Sequence, residues 1–142
     1  MTALAADVNR QARSGDIVAR PMDGAAQTIY KGSLTCNDTT GYAVPGADTA
    51  SFIFLGVARE KKTIATTETD GTTNIRTERR GLHRFAFGAG NAAVTDVGTE
   101  VCITDDNTVD KAGTTTNDIK CGKIAIVESA TVVWIDIEGY CA

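Results

Sequence analysis

Residues 95–109, TDVGTEVCITDDNTV, decide the fold that the sequence predicts. Turn-forming residues at 95–98 and at 105–107 enclose a short alternating run from Glu100 to Thr104, which is typical of a β-strand between two tight turns. The stretch contains no group of residues that could carry out a reaction. It therefore predicts a β-rich scaffold rather than a catalytic pocket.

The same design recurs on both sides of this stretch. Short β-rich segments alternate with joints rich in threonine and glycine, at a spacing that is typical of a barrel or a sandwich. The predicted strands are 29–35, 42–44, 52–59, 63–67, 74–80, 82–87, 100–104, 108–111, 119–128 and 131–137. We predict an all-β domain over residues 29–142, a small β-barrel or sandwich of short strands with an extended N-terminal arm.

Two of these segments indicate where the core lies. Residues 52–58, FIFLGVA, form a continuous apolar run of strand length, which predicts a strand buried on both faces. Near the end of the chain, Val133, Ile135 and Ile137 alternate with polar or aromatic neighbours, which predicts a strand with one buried face. The first of these strands is expected at the centre of the core.

Residues 1–28 carry many charges and few large apolar side chains, so they are interpreted as an arm. Two interpretations stay open: a frayed terminus, or an extended segment that lies along a partner and inserts Ile17 and Val18 into it. In the second case, the candidate contact residues of the arm are Asp7, Arg10, Arg13, Ile17, Val18 and Arg20.

Composition excludes several classes of function. The chain has 142 residues and a net charge of −4, whereas binding to nucleic acid phosphates requires an excess of clustered lysine and arginine. No apolar run approaches the length of a membrane span, and the N-terminus lacks the features of a signal peptide. We expect a soluble protein of the cytosol, with Cys36, Cys102, Cys121 and Cys141 as reduced, partly buried thiols.

No known catalytic or metal-binding motif is complete. Gly122-Lys123 lacks the first glycine and the hydroxyl residue of a phosphate loop. Asp105, Asp106, Asn107 and Asp110 lack the spacing of an EF-hand loop, so a hairpin turn explains them better. His83 is the single histidine. We expect no catalytic residue, no metal and no cofactor.

The densest basic region of this acidic chain lies at residues 76–84, where Glu78 stands among four arginines. An ordinary solvated face is one interpretation. The other is a basic patch that meets an acidic partner, where complementary charge sets orientation and encounter rate. Arg79, Arg80 and Arg84 are therefore further candidate contact residues.

The order of several segments resembles that of the tailed-phage capsid decoration proteins, also called capsid cement proteins. The likeness extends over most of the chain, and no single element is diagnostic. Its carriers are 1–7 (MTALAAD), 29–34 (IYKGSL), 41–45 (GYAVP), 55–58 (LGVA), 80–85 (RGLHRF), 95–98 (TDVG), 105–109 (DDNTV) and 132–137. The four cysteines and the threonine-rich loop at 66–73 depart from the family pattern.

The resemblance implies a structural protein of the virion. Such proteins bind the outer surface of an expanded phage capsid, often as homotrimers, and tie neighbouring major capsid proteins together. It also implies assembly in the cytoplasm of a bacterial host and no catalytic residues. The alternative from the sequence is a β-barrel module that binds a carbohydrate or a host surface, which the polar loops suggest.

Overall fold

The computed structural model describes residues 13–142, which form twelve β-strands and one short 3-10 helix. The helix covers Val94–Asp96. The strands are β1 Ile17–Pro21, β2 Gln27–Ile29, β3 Leu34–Asn37, β4 Ala43–Pro45, β5 Ile53–Ala58, β6 Lys62–Ile64, β7 Asn74–Glu78, β8 Leu82–Phe87, β9 Glu100–Ile103, β10 Thr108–Lys111, β11 Lys120–Ser129 and β12 Val132–Asp136. The predicted all-β class is confirmed.

The strands form three sheets. The first is a five-stranded sheet in the order β1-β7-β5-β3-β4, in which every pair is antiparallel. The second is a closed five-stranded barrel in the order β10-β8-β12-β11-β9, closed by the parallel pair β8–β10. The third is the small antiparallel pair β2–β6. The predicted barrel therefore covers only the C-terminal half, and an open sheet precedes it.

Residues 95–109 form the predicted strand between two turns. Asp96 accepts a hydrogen bond from the Ala93 N–H at 2.7 Å and so stabilises the turn before β9. After β9, the Asp105 carboxylate accepts from the Asn107 N–H at 2.8 Å, and β9 pairs with β10 as a hairpin. Aspartates that bond their own backbone two residues on are typical of such turns.

The barrel core follows from alternation along its strands. Val133 and Ile135 of β12 are fully buried, as is Ile137 just after it. They pack with Phe85 and Phe87 of β8 inside the barrel. The intervening β12 residues face outward, as the sequence predicts.

β5 separates two hydrophobic clusters, and the prediction that it is buried on both faces is confirmed. Phe54 and Val57 belong to the larger cluster, which they share with the barrel residues. Leu55 and Ala58 belong to the smaller cluster, which joins the other face of the five-stranded sheet to β2 and β6. Only Ile53 on this strand is exposed.

One predicted strand needs correction. The predicted strand 29–35 is broken by a turn, in which the Ser33 N–H bonds to the Tyr30 carbonyl at 3.1 Å. Residues 66–73 form a loop, as expected. Their backbone is hydrogen-bonded to the segment 22–24, because the Gly71 N–H donates to the Met22 carbonyl at 2.9 Å and the Glu68 N–H donates to the Gly24 carbonyl at 2.8 Å.

Residues 17–28, assigned from the sequence to the arm, belong to the folded domain. β1 pairs with β7 over its whole length, from Ile17 opposite Glu78 to Pro21 opposite Asn74. Met22 is fully buried in the smaller cluster. Backbone pairing compensates for the scarcity of large apolar residues, and only residues 13–16 precede the first strand in the described part of the chain.

Candidate interaction surfaces

The edge strand β1 is the first candidate surface. Within residues 13–142 it pairs only with β7, so its other backbone edge is open. Ile17 is 47% exposed on this strand. An open cleft of about 370 Å³ lies beside it, lined by Arg13, Ser14, Gly15, Ile17, Val18 and Ala19. An unpaired strand edge next to an exposed isoleucine can accept a further strand.

The candidate residues of the arm fall into three groups. Ile17, Val18 and Arg20 lie on β1, and Arg13 lines the cleft beside it. Val18 is half-buried, and its carbonyl accepts from the Thr77 hydroxyl at 3.2 Å, so it contributes to the chain's own sheet. The two remaining candidates, Asp7 and Arg10, lie outside the described residues.

Arg20 and Arg79 anchor the last residues of the chain. Arg79 donates to the Gly15 carbonyl at 3.2 Å and to the Cys141 carbonyl at 3.4 Å. Arg20 donates to the Ala142 carbonyl. Burial lowers the pKa of Arg20, and the neighbouring charge of Arg79 lowers it further. The two guanidinium groups therefore hold β1, β7 and the tail together.

The other arginines of the basic region are paired with the chain's own carboxylates. Arg80 lies 2.9 Å from an Asp16 oxygen, and Arg84 binds Glu128 through two bonds of 2.8 and 3.0 Å. Arg76 lies 3.3 Å from Glu60. The basic region of the sequence is thus spread over two sheets and neutralised locally, and it does not form one basic patch.

An apolar strip on the outside of the barrel is the second candidate surface. Trp134 of β12 stands between Arg84 of β8 and Ile126 of β11 in the strand register. Its indole N–H donates to Glu128 at 3.1 Å. Leu82 and Ile126 are 46% and 48% exposed. Exposed aliphatic side chains around a half-buried tryptophan are typical of protein contact surfaces.

The histidine and cysteine side chains are hydrogen-bonded or buried. His83 Nε2 lies 2.9 Å from the Arg80 carbonyl. Burial raises the pKa of Cys36 to about 12, and it raises the pKa of Cys141 to about 11 despite the nearby arginines. All four cysteines have free thiols. Within residues 13–142, no group of three His, Cys, Asp or Glu side chains could hold a metal ion.

The acidic residues around the β9–β10 hairpin do not converge on one site. Asp110 is only 3% exposed and faces away from the turn. Its carboxylate accepts from the Gly90 N–H at 3.3 Å and from its neighbour Lys111 N–H at 2.8 Å. Asp105 bonds within the turn itself. The buried aspartate therefore orders the glycine-rich joint before the 3-10 helix.

A third candidate surface is a cleft between the turn at residues 30–33 and the β9–β10 turn. Its volume is about 360 Å³, and it is lined by Tyr30, Lys31, Gly32, Ser33, Asp106 and Asn107. The Leu34 N–H donates to the Asp106 carbonyl at 2.8 Å and so joins the two walls. Burial, followed by the charge of Asp105, raises the pKa of the Asp106 carboxyl. From the sequence, Asp106 and Asn107 are expected only to form a turn.

The surroundings of Asp48 shift its pKa in the direction opposite to that of Asp106. Its two carboxylate oxygens accept the Thr116 N–H at 2.7 Å and the Asn117 N–H at 2.8 Å, so it joins the five-stranded sheet region to the barrel loop 112–118. The hydrogen bond from the Thr116 N–H lowers the pKa of the Asp48 carboxyl most, and the bond from the Asn117 N–H lowers it further. A carboxylate that accepts backbone N–H groups is stabilised in its charged form.

These two aspartates should affect stability with opposite sign. Because the pKa of Asp48 is lowered by folding, Asp48→Asn should decrease the free energy of unfolding at neutral pH; this loss should begin to shrink near about pH 4 and should vanish once the pH is below the lowered pKa of the folded state. Because the pKa of Asp106 is raised by folding, Asp106→Asn should increase stability at neutral pH and have no effect in acid. Urea unfolding of both variants across pH checks this. Equal pH profiles for the two variants would contradict it.

The comparisons with known proteins add no family. Neither a scan against protein-family models nor searches of curated proteins and of solved structures gave a significant match. No helix in the described part of the chain has the length and apolar character needed to cross a membrane.

Proposed function

We propose that this chain is a non-enzymatic decoration protein that binds the outer surface of a phage capsid and stabilises the lattice of major capsid proteins. The observation that carries the proposal is the open edge of β1, with exposed Ile17, directly after the N-terminal segment. The family resemblance supports the same role. The major capsid protein is the proposed partner, and the virion, assembled in the bacterial cytoplasm, is the proposed location.

The proposed contact is the addition of a strand. An extended segment of a capsid subunit pairs with the open edge of β1, so that main-chain hydrogen bonds give affinity and Ile17 fills an apolar pocket. The residues before β1, which include Asp7 and Arg10, continue along the capsid as the arm. The tail anchored by Arg20 and Arg79 keeps β1 in place under load.

The apolar strip around Trp134 is the proposed contact between copies of this chain. Leu82 and Ile126 are large, apolar and half exposed, and they flank the tryptophan on adjacent strands. A homotrimer joined through this strip would grip several capsid subunits at once. Linked weak contacts raise the effective concentration of each further contact. Selective binding to the expanded lattice also stabilises that lattice by mass action.

The proposal is tested with undecorated, expanded shells. The intact protein should bind them and raise their disruption temperature. Deletion of residues 1–12, which leaves β1 in place, should abolish binding. Ile17→Lys should weaken binding by roughly tenfold or more, because the contact would bury an ammonium group.

Ile53→Lys is the matched control, since Ile53 is 53% exposed on a different strand. It should bind as well as the intact protein. Circular dichroism and the unfolding midpoint establish that each variant is folded. Failure of the intact protein to bind any shell would overturn the proposal, and full binding by the deletion variant would overturn the role of the arm.

A further inference from the structure

The cleft between Tyr30 and Asp106 has features that the capsid role does not use. Tyr30 is 57% exposed, which is unusual for an aromatic side chain on a tight turn. Lys61 Nζ lies 5.2 Å from the centre of its ring, a cation–π contact that fixes the ring. Lys61 does not line the cleft, so the ammonium group leaves the cleft free.

Among residues 13–142, the polar side chains of Asp106, Asn107 and Ser33 make no hydrogen bond to another residue. Burial, followed by the charge of Asp105, raises the pKa of the Asp106 carboxyl, and its own backbone N–H is the group that lowers it. The hydrogen bonds of Asn107 and Ser33 involve only their backbone atoms. A carboxylate, an amide and a hydroxyl thus point to one ligand with several donors and acceptors.

The walls of the cleft are fixed before any ligand binds. The Gly32 N–H donates to the Ala58 carbonyl at 2.8 Å, which joins the first turn to β5. The Leu34 N–H joins the same segment to the second turn. A preformed site loses little conformational entropy on binding. The volume of about 360 Å³ lies at the small end of the range of ligand sites, roughly 300–1,000 Å³.

The charge balance selects a neutral ligand. One carboxylate, Asp106, and one ammonium group, Lys31, line the cleft, so its lining carries no net charge, and Lys61 contacts Tyr30 from outside it. Asp105 and Asp106 would repel a phosphate or a nucleotide, and the two lysines would repel a cation. A sugar fits these groups. It can place an apolar face against the aromatic ring, and its hydroxyl groups can bond to the carboxylate and the amide.

We propose that this cleft binds one neutral pyranose unit of a glycan. The C–H face of the sugar lies against Tyr30, adjacent hydroxyls donate to the Asp106 carboxylate, and the Asn107 amide and the Ser33 hydroxyl complete the contacts. The site explains why an unpaired, half-buried carboxylate stands there although it decreases stability, since binding residues are often kept at the expense of stability. This inference is independent of the capsid proposal.

Titration of the isotope-labelled protein with neutral monosaccharides tests the site. Glucose, galactose, mannose and N-acetylglucosamine are added one at a time, and amide chemical shifts are followed by NMR. At least one sugar should shift amides within 30–33 and 105–107 in a saturable manner. Tyr30→Ala and Asp106→Asn should each weaken binding by roughly tenfold or more, since each removes a principal contact.

Two variants separate this role from a structural one. Tyr30→Phe keeps the ring and should retain most of the affinity, whereas Tyr42→Phe changes an aromatic residue that does not line the cleft and should bind like the intact protein. An array of immobilised glycans then shows whether the natural ligand is a free sugar or a unit of a cell-surface glycan. Binding to the array would indicate the glycan. The absence of saturable shifts with every sugar and a blank array, or shifts that persist in folded Tyr30→Ala, would overturn the proposal.

Discussion

Gly56→Ala should unfold the protein at far lower denaturant concentration than the parent chain, with a loss of more than about 3 kcal/mol in the free energy of unfolding. Gly56 has a φ of +141°, which residues with a side chain rarely adopt. A Cβ at this position would stand 2.3 Å from the Glu78 carbonyl oxygen. Because that oxygen belongs to the backbone of β7, no side-chain rotation relieves the contact.

The loss extends beyond the local clash because Gly56 lies at a β-bulge. Gly56 pairs with Thr35, but Phe54 pairs with Cys36, so Leu55 is an extra residue on β5. Without the bulge, strict alternation would place Phe54 and Gly56 on the same face. With it, Phe54 and Val57 face the barrel while Leu55 and Ala58 face the opposite cluster. A shift of one residue would turn these side chains to the opposite faces, where each would have to fit the packing of the other cluster.

Gly113→Ala provides the matched control. Gly113 also has a positive φ, of 86°, but a Cβ there would meet open space. It should therefore show only the backbone strain, about 1 kcal/mol. Urea unfolding of both variants, followed by tryptophan fluorescence and circular dichroism, measures the difference. Equal losses for the two glycines would show that the contact with β7 has no energetic role.

The sequence of β5 illustrates what could and could not be predicted. Its run of apolar residues correctly indicates burial on both faces, because no polar residue marks a solvent face. The bulge is not readable from the same residues, since it depends on the pairing of Gly56 with a strand twenty residues earlier. Alternation in β12 was enough to orient Val133 and Ile135, because that strand has a single buried face.

Interaction surfaces were harder to predict than strands. Residues 17–22 contain too few large apolar side chains to suggest a place in the core, yet backbone pairing with β7 and one buried methionine hold them there. The arginines at 76–84 form a cluster in sequence, but strand alternation and acidic partners from distant segments separate them. The cleft at Tyr30 combines two turns over seventy residues apart, and only the packing of sheet on barrel brings them together.

Phe54 lies within that packing, so Phe54→Ala should destabilise the protein by about 3–5 kcal/mol. Phe54 is only 2% exposed and joins the five-stranded sheet to the barrel residues of the larger cluster. Its carbonyl also accepts the Ala142 N–H at 2.9 Å, which brings the tail across the same junction. The loss is a large part of the roughly 5–15 kcal/mol that stabilises a typical domain.

Ile53→Ala separates this role from a general effect on β5. Ile53 is the neighbouring residue but faces solvent, so its truncation should cost less than about 1 kcal/mol. Because Phe54 contacts both halves of the fold, Phe54→Ala should also loosen the Tyr30 cleft, seen as faster amide hydrogen exchange at residues 30–34. If the two substitutions had equal effects on unfolding, the sheet and the barrel would be joined by other contacts. Loss of stability with unchanged exchange at 30–34 would place the cleft outside the influence of this junction.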